Sequence, residues 1–295
     1  MIDLTKTYLG IEFGSTRIKG VLIDGQFNPV ASGAYDWENR FENGYWTYSA
    51  DDFMTGMQGC FASLAADVLE KFGQPLDTVA AIGISGMMHG YLAFDKDDNL
   101  LVPFRTWRNT TTAEAANELS ALMNFTIPQR WSVSHLYQAI LSGEDHVENV
   151  DHITTLAGYI HYLLTGRREV GVGEASGIFP IDSATGTYDA DMISKLSEKL
   201  KEHGFAKDIL TVFPAVRNAG DTGAVLTEAG AKLLDPTGTL KAGIPLCPPE
   251  GVAGTGMTAT NSVRTRTGNV SAGTSIFSML VLDKSLSAAY PEIDM

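Results

Sequence analysis

Cysteine is scarce in this 295-residue sequence, in which Cys60 and Cys247 are the only two. The amino terminus also lacks the basic stretch and the apolar run of a secretory signal peptide. Together these two features predict a reduced, cytoplasmic protein. No apolar run approaches the roughly 18 residues that a membrane-spanning helix needs, so we expect a soluble chain.

Basic clusters are missing as well, and the formal net charge is -14. Nucleic acids and anionic membranes bind positively charged surfaces, so the sequence predicts neither of them as a partner. A small molecule is the expected partner, and a homodimer stays open. The length favours about two domains, and the 44% hydrophobic content is ordinary for a globular protein with a large core.

Two apolar runs flank the small-residue turn Gly14-Ser15-Thr16 and predict a β-hairpin over residues 9–24. Residues 29–35 continue this hairpin as a third strand. Because Gly, Ser and Thr add little bulk, the backbone N–H groups of such a turn can approach a phosphate closely. The alternative is a plain turn without a ligand, since most Gly-Ser turns bind nothing.

A second copy of this hairpin is present near the other end of the sequence. Residues 268–283 align with the first copy without gaps, so that Gly273 matches Gly14 and the pair Thr274-Ser275 matches the hydroxyl pair. Such self-similarity indicates two related lobes, whose turns would face each other and hold a nucleotide polyphosphate. We expect the second lobe to be present as little more than its opening hairpin.

Helices and strands alternate between the two copies. Ser49 and Asp52 form an acidic capping box that predicts a long amphipathic helix ending near Lys71. Residues 79–85 are a continuous apolar run, typical of a strand buried on both faces. The loop after this strand carries His89, and ligands bind at such strand ends in α/β sheets. A buried structural histidine is the alternative.

The remaining polar and aromatic segments allow two interpretations each. Arg105 and Arg108 either grip an anionic or polyhydroxyl substrate or lie on a solvated loop with Trp107 packed inward. Residues 248–256 contain too many glycines for a stable helix interior and are expected to lie between the lobes. Aromatic residues on an expected loop either pack over the sheet edge or stack on a sugar ring: Trp37, Tyr45, Trp46 and Tyr48.

The sequence resembles the FGGY family of carbohydrate kinases, which includes xylulokinase and glycerol kinase, over essentially its whole length. The segment Gly10-Ile11-Glu12-Phe13-Gly14-Ser15-Thr16, with Lys19, is similar to the family's first phosphate motif, G-I-D-x-G-T-x-x-x-K. Residues 83–90 are close to the xylulokinase segment G-I-x-G-Q-M-H-G, whose Met-His pair contacts the sugar. Residues 174–177 resemble the D-A-S-G segment, and residues 273–275 resemble the second phosphate motif.

This resemblance implies an α/β fold of the ribonuclease-H-like, actin and hexokinase type, with a mixed sheet flanked by helices. It implies a sugar-binding domain over residues 1–247 and the start of a nucleotide-binding domain over residues 248–295. Sugar would bind mainly to the first lobe, and ATP with Mg²⁺ mainly to the second. The implied substrate contacts are Met88, His89, Trp107, Arg108, Asn109 and Glu174. The implied phosphate contacts are Gly14, Ser15, Thr16, Lys19, Gly273, Thr274 and Ser275.

Four positions depart from the family pattern. Glu12 and Glu174 stand where the family usually has Asp, and Glu12 is implied at the reaction centre, where it can hold Mg²⁺ through water. Residues 107–112 replace the family's W-N-D-x-R, so the substrate can differ from a plain ketose. Val252 occupies the position of the general base, an Asp that directly follows a Gly. Asp221 also follows a Gly, but its place ahead of a predicted helix favours a structural role.

The sequence therefore predicts the sugar-binding lobe of a carbohydrate kinase that phosphorylates a sugar, sugar acid or polyol. We expect the chain to be a truncated, catalytically impaired fragment, because valine cannot accept a proton and a general base typically contributes about two to four orders of magnitude in rate. One alternative is a natural non-catalytic sugar-binding or regulatory module. The other is an actin-like or Hsp70-like ATPase, which does not explain Met88 and His89.

Overall fold

The computed structural model describes residues 2–221, 223–273, 276–290 and 292–293. The strands in chain order are β1 (Tyr8–Phe13), β2 (Arg17–Ile23), β3 (Pro29–Asp36), β4 (Arg40–Glu42), β5 (Tyr45–Thr47), β6 (Ala81–Gly86), β7 (Leu92–Phe94), β8 (His152–Thr154), β9 (Glu169–Gly171), β10 (Ile181–Asp182), β11 (Thr187–Tyr188), β12 (Ala215–Arg217), β13 (Glu250–Gly251), β14 (Gly268–Ala272) and β15 (Ile276–Leu280). The helices are α1 (Ala50–Phe72), α2 (Ala113–Met123), α3 (Ser132–Leu141), α4 (Leu156–Thr165), α5 (Val172–Ala175), α6 (Ala190–Glu202), α7 (Ile209–Val212), α8 (Glu228–Leu234) and α9 (Val252–Ala259).

A mixed central sheet has the strand order β13-β6-β1-β2-β3. The predicted meander is confirmed, because β1, β2 and β3 pair antiparallel in sequence order. β6 then pairs in parallel with β1, and β13 pairs in parallel with β6, as crossover connections allow. Leu9, Ile11 and Phe13 alternate with more exposed residues along β1, so one face of this strand is buried.

Helix α1 covers the meander and begins with the predicted capping box. The Ser49 hydroxyl accepts from the Asp52 amide, and the Asp52 carboxylate accepts from the Ser49 amide. Gly33 of β3 allows α1 to approach closely, since a Cβ there would lie 2.3 Å from the Leu64 nitrogen. Cys60 is buried on the same face of the helix, as its helical spacing predicts.

Two hydrophobic cores meet beside the loop that follows β6. The first core packs the central sheet against α1, α4 and α8. The second core contains buried residues of α2, α3 and α6, together with the strands around β8. Met87 belongs to the first core and Tyr91 to the second, so residues 88–90 bridge the two cores.

The predicted aromatic loop is partly a hairpin, which corrects the sequence interpretation. β4 and β5 pair antiparallel, with Phe41 opposite Trp46, around a turn at Asn43 and Gly44. Both turn residues have positive φ, the conformation that tight hairpin turns require. Strand β4 is short and mostly polar, so it lacks the alternation of apolar and polar residues from which longer strands are predicted.

The prediction that residues 248–256 cannot be helical is wrong, because α9 covers Val252–Ala259. The helix starts at the end of β13, where Gly251 has an extended backbone. Threonine hydroxyls bond carbonyl oxygens one turn earlier, from Thr255 to Gly251 and from Thr258 to Gly254. A glycine costs about 1 kcal/mol in a helix interior, and the contacts of α9 with β13, β14 and β6 offset that cost.

The second hairpin forms as predicted, from β14 and β15, but with a different register. Phe13 pairs with Ile18 in the first hairpin, whereas Ala272, which matches Phe13, pairs with Ile276. The residue that matches Ile18 is Phe277, which pairs with Ser271 instead. Thr274 and Ser275 lie outside the described residues. None of the helices in the described ranges is long and apolar enough to cross a membrane.

Candidate active site

Three parallel strands end together at one edge of the central sheet. Glu12 of β1, Ser85 of β6 and Glu250 of β13 lie side by side in register, one residue before the strands end. The turn after β1, the loop after β6 and the start of α9 therefore leave the sheet at neighbouring points. The carboxyl edge of a parallel sheet is where α/β proteins bind ligands.

The turn Gly14-Ser15-Thr16 lies beside a half-exposed ion pair. Lys19 Nζ is 3.6 Å from Glu12 Oε1, with the two side chains 53% and 42% exposed. Such exposure leaves both charges accessible to a ligand and makes the pair itself weakly stabilising. The structure thus brings Glu12, Lys19 and the turn together, as the motif predicts.

His89 occupies the loop after β6 with an unusual backbone. Its φ is 67°, in the left-handed region that non-glycine residues rarely adopt. The ring Nδ1 lies 3.4 Å from the Gly177 carbonyl oxygen, which ties this loop to the segment after α5. Burial, with the positive charge of Arg130, lowers the pKa of His89 to about 3. The imidazole is therefore neutral at physiological pH.

The segment Trp107-Arg108-Asn109 connects this edge to the β4–β5 hairpin. Trp107 Nε1 donates to Ser15 Oγ at 3.3 Å, so the indole reaches the first turn. The Arg108 guanidinium stacks 3.7 Å from the centre of the Trp46 ring. The Asn109 side chain is buried and bonds the backbone of Trp46 through both its oxygen and its nitrogen. Asn109 therefore fastens the hairpin instead of facing an open cleft.

The second candidate arginine, Arg105, is used inside the protein. Its side chain is buried and forms a two-pronged ion pair with the Glu144 carboxylate. The guanidinium also lies 4.3 Å from the centre of the Tyr45 ring. Arg105 thus stabilises the loop through buried contacts. Of the two candidate arginines, Arg108 is the one that remains available to a ligand.

Glu174 is fully buried behind the start of α9. No described residue donates a hydrogen bond to either carboxylate oxygen, although the nearby Thr155 hydroxyl partly opposes the rise in the pKa of Glu174. Burial, with a smaller contribution from the charge of Glu250, raises the pKa of Glu174 to about 8. A Cβ on Gly251 would lie 2.4 Å from Glu174 Oε2 and 2.2 Å from Met88 Cγ, so only glycine fits between them.

Val252 is the first residue of α9 and directly follows this glycine. Its side chain is half-buried and carries no proton acceptor. The other Gly-Asp step lies elsewhere, since exposed Asp221 accepts from the Asn218 amide at 2.9 Å within a turn. Asp221 therefore has the structural contact that the sequence favours.

Comparison with known proteins identifies the family of this chain. Residues 7–247 match the model of the N-terminal domain of the FGGY family of carbohydrate kinases. The chain belongs to the FGGY family of carbohydrate kinases. Its α/β fold with a mixed central sheet is the fold of the solved FGGY kinases.

The similar curated FGGY kinases are distant in sequence. The chain is 22% identical over 224 residues to a xylulose kinase of Lactococcus lactis, which covers 68% of this chain and 43% of that protein. It is 23% identical over 205 residues to a rhamnulokinase of Ligilactobacillus salivarius, which covers 65% of this chain and 40% of that protein. The chain thus spans about two fifths of the curated relatives it matches.

Solved structures show the same fold at low identity. A xyloylose kinase from Brucella ovis has a TM-score of 0.78 and 19% identity, with 97% of this chain and 56% of that chain covered. A glycerol kinase from Plasmodium falciparum with ADP has a TM-score of 0.72 and 16% identity, with 92% of this chain and 53% of that chain covered.

Three residues at this edge of the sheet are absent from the sequence predictions. Glu250 accepts from the Glu174 amide at 2.9 Å, and Ser85 Oγ lies 3.0 Å from Thr255 Oγ1. These contacts fasten α5 and α9 to the ends of β13 and β6. A sequence signal exists for Glu250, a carboxylate beside Gly251, but the partners of Ser85 and Thr255 depend on tertiary structure.

Proposed function

We propose that this chain forms the sugar-binding lobe of an FGGY kinase that transfers a phosphoryl group from ATP to a hydroxyl of a sugar, sugar acid or polyol. The observation that carries this proposal is the register of β1, β6 and β13, which gathers Glu12, His89 and Val252 at one sheet edge. We assign residues 1–247 to the sugar-binding domain and residues 248–295 to the start of the nucleotide-binding domain. The family match ends at the same residue, 247.

The substrate in this proposal lies against the loop that bridges the two cores. Because the Nδ1–H of the neutral His89 imidazole faces the Gly177 carbonyl oxygen, its Nε2 atom is left to accept a hydrogen bond from a sugar hydroxyl. We expect Met88, Trp107 and Arg108 to contact the same substrate. The names of the related kinases, for xylulose, rhamnulose and gluconate, support a class that includes both neutral sugars and sugar acids.

The phosphoryl end of the reaction lies at the turn after β1. Ser15 and Thr16 offer backbone N–H groups, and Lys19 adds a positive charge for the developing negative charge. Mg²⁺ takes oxygen ligands and usually keeps water and substrate phosphates in its shell. The half-exposed Glu12 carboxylate fits that chemistry as a ligand that acts through water. When bound, the metal would neutralise charge on the transferred group.

The base position limits turnover in this proposal. Val252 stands where the substrate hydroxyl needs a proton acceptor, so we expect phosphoryl transfer to be slower by about two to four orders of magnitude than with a carboxylate. A non-catalytic sugar-binding module is the second candidate, and Val252 is the observation that favours it. In either case we place the protein in the cytoplasm with a small-molecule partner, and a homodimer is compatible with it.

Sugar-dependent ATP turnover tests the proposal, in a protein that carries both lobes of the family. Val252→Asp should raise turnover by about a hundredfold or more. The control Val252→Asn introduces a side chain of the same shape as Asp but without the carboxylate, and it should not raise turnover. The KM for sugar should change little, because a base acts chiefly on the transition state. Equal turnover of the Val252 protein and its Asp variant would place the base elsewhere, with Asp221 as the first candidate.

A further inference from the structure

Aromatic residues hold the turn after β1 by its carbonyl oxygens. Trp37 Nε1 donates to Gly14 O at 2.7 Å, and the Tyr48 hydroxyl donates to Ser15 O at 2.5 Å. The backbone amide of Trp37 donates to Thr16 O at 3.2 Å. All three carbonyl groups of the turn therefore point toward the protein.

Peptide geometry then fixes where the amides of the turn point. In a trans peptide the C=O of one residue and the N–H of the next point in opposite directions. Since Gly14 O and Ser15 O face inward, the N–H groups of Ser15 and Thr16 face outward. Neither amide donates a hydrogen bond to any residue in the described ranges. Successive outward amides of this kind attract anions.

The donors themselves are rigid because they belong to the first core. Trp37 and Tyr48 are 6% and 2% exposed, and their rings stack with centroids 4.3 Å apart. Trp37 also meets the edges of Phe13 and Phe53. Burial raises the pKa of Tyr48 to about 12, so its hydroxyl keeps the proton that it donates. Side chains held this firmly lose little entropy when the turn receives a ligand.

Trp107 adds a third aromatic donor from the substrate side. Its indole N–H donates to Ser15 Oγ, so the hydroxyl hydrogen of Ser15 points away from Trp107 and can serve a ligand oxygen. Trp107 lies in the segment that borders the proposed sugar position. The bond therefore links the substrate side of the site to the phosphate side.

We propose that Trp37, Tyr48 and Trp107 form an aromatic frame whose function is to position the Ser15 and Thr16 amides for the transferred phosphoryl group. These three are positioning residues that act through the turn. The inference rests on the proposed function, because it assigns the frame to the phosphate side of that same site.

Backbone amide chemical shifts of the full chain, titrated with inorganic phosphate and pyrophosphate, test the frame. The wild-type Ser15 and Thr16 amides should move with added anion. Tyr48→Phe keeps the ring and removes only the hydroxyl, and Trp107→Phe removes the indole donor. Each change should weaken the response about fivefold, the equivalent of one hydrogen bond worth about 1 kcal/mol.

Tyr188→Phe is the matched control, because Tyr188 is also buried and its hydroxyl also donates to a backbone carbonyl, that of Pro214. It should lower the melting temperature as Tyr48→Phe does and leave the anion response unchanged. Equal responses in wild type, Tyr48→Phe and Trp107→Phe would overturn the frame, as would wild-type amides that ignore both anions. If the wild-type amides ignore both anions but the chain binds sugar, only the frame is contradicted. If the chain responds to neither anion and binds no sugar, the proposed function is contradicted too.

Discussion

Glu174 is an acid buried without a hydrogen-bond partner for either carboxylate oxygen among the described residues. A carboxylate without hydrogen-bond donors is costly in a protein interior, so the group keeps its proton instead. Its neighbour Glu250 also has a raised pKa because of burial, although backbone amides at Glu174, Gly173 and Gly251 partly oppose that rise. The start of α9 therefore packs against an uncharged acid at neutral pH.

This protonation predicts a fall in stability as pH rises. The pKa of Glu174 is about 8 in the folded chain against an ordinary value of 4.5, so the folded state binds the extra proton between these values. The stability that the Glu174 proton contributes is fully present below about pH 4.5. It decreases as the pH rises to about 8, by at most about 1.4 kcal/mol of unfolding free energy per pH unit. Urea unfolding from pH 5 to 8.5 measures this slope.

Glu174→Gln should reduce the pH dependence and stabilise the chain at pH 8, since the amide never has to ionise; Glu250 keeps its own smaller share. Exposed Glu198→Gln serves as the control and should leave the slope unchanged. If wild type and Glu174→Gln lose stability in parallel over this range, Glu174 is ionised in the folded chain and our account of its burial is wrong.

Glu174 also shows which features of the site a single sequence does not predict. Motif spacing predicts the hairpin that carries Glu12 and places His89 after a buried strand, because strands and turns are local features. That Glu12, His89 and Val252 meet at one sheet edge depends on the pairing of distant strands. The orphan oxygens of Glu174 and the bond from Trp107 to Ser15 join segments that are far apart in the chain. Such contacts depend on packing, which single-sequence patterns do not encode.

At the scale of elements, the β4–β5 hairpin depends on one side chain of the neighbouring segment. The Asn109 oxygen accepts from the Trp46 amide at 2.8 Å, and its nitrogen donates at 2.9 Å to the carbonyl oxygens of Trp46 and Thr106. A two-stranded hairpin is marginal on its own. The sequence shows an asparagine beside Trp107, but not that it pairs with a backbone sixty-three positions away.

Asn109→Ala should therefore destabilise the chain by about 2–3 kcal/mol, because three hydrogen bonds to backbone groups are lost together. Asn28→Ala, which affects an exposed turn around Asp24, should cost less than about 1 kcal/mol. The free energy of unfolding by urea measures both changes. A cost for Asn109→Ala no larger than for Asn28→Ala would contradict the structural role of Asn109.

Elements were predicted well where periodicity is strong and poorly where glycine or short length obscures it. The meander, the capping box of α1 and the strand β6 follow from apolar spacing and turn residues, although β6 is fully buried on one face only. Helix α9 does not, because its glycines are offset by contacts with three strands and by threonine hydroxyls that bond back along the helix. Tertiary contacts override local propensity there.

At the scale of the whole molecule, the site lies where the first and second cores meet. The loop with Met88 and His89 has one end in each core, so a ligand against it would contact groups positioned by both. The β14–β15 hairpin contrasts with these cores. Val270, Ile276 and Leu280 are 67%, 76% and 72% exposed on it. We propose that these apolar side chains are the surface on which the nucleotide-binding lobe is built.

Calorimetric titration of this chain with a panel of ketoses, polyols and sugar acids tests the central claim most directly, that the chain is a sugar-binding lobe. At least one compound should bind, and His89→Ala should weaken that binding by about tenfold or more, the equivalent of 1.4 kcal/mol. His203→Ala, on the exposed end of α6, should bind as wild type does. A chain that binds none of these compounds, or binds them equally well after His89→Ala, would contradict the account.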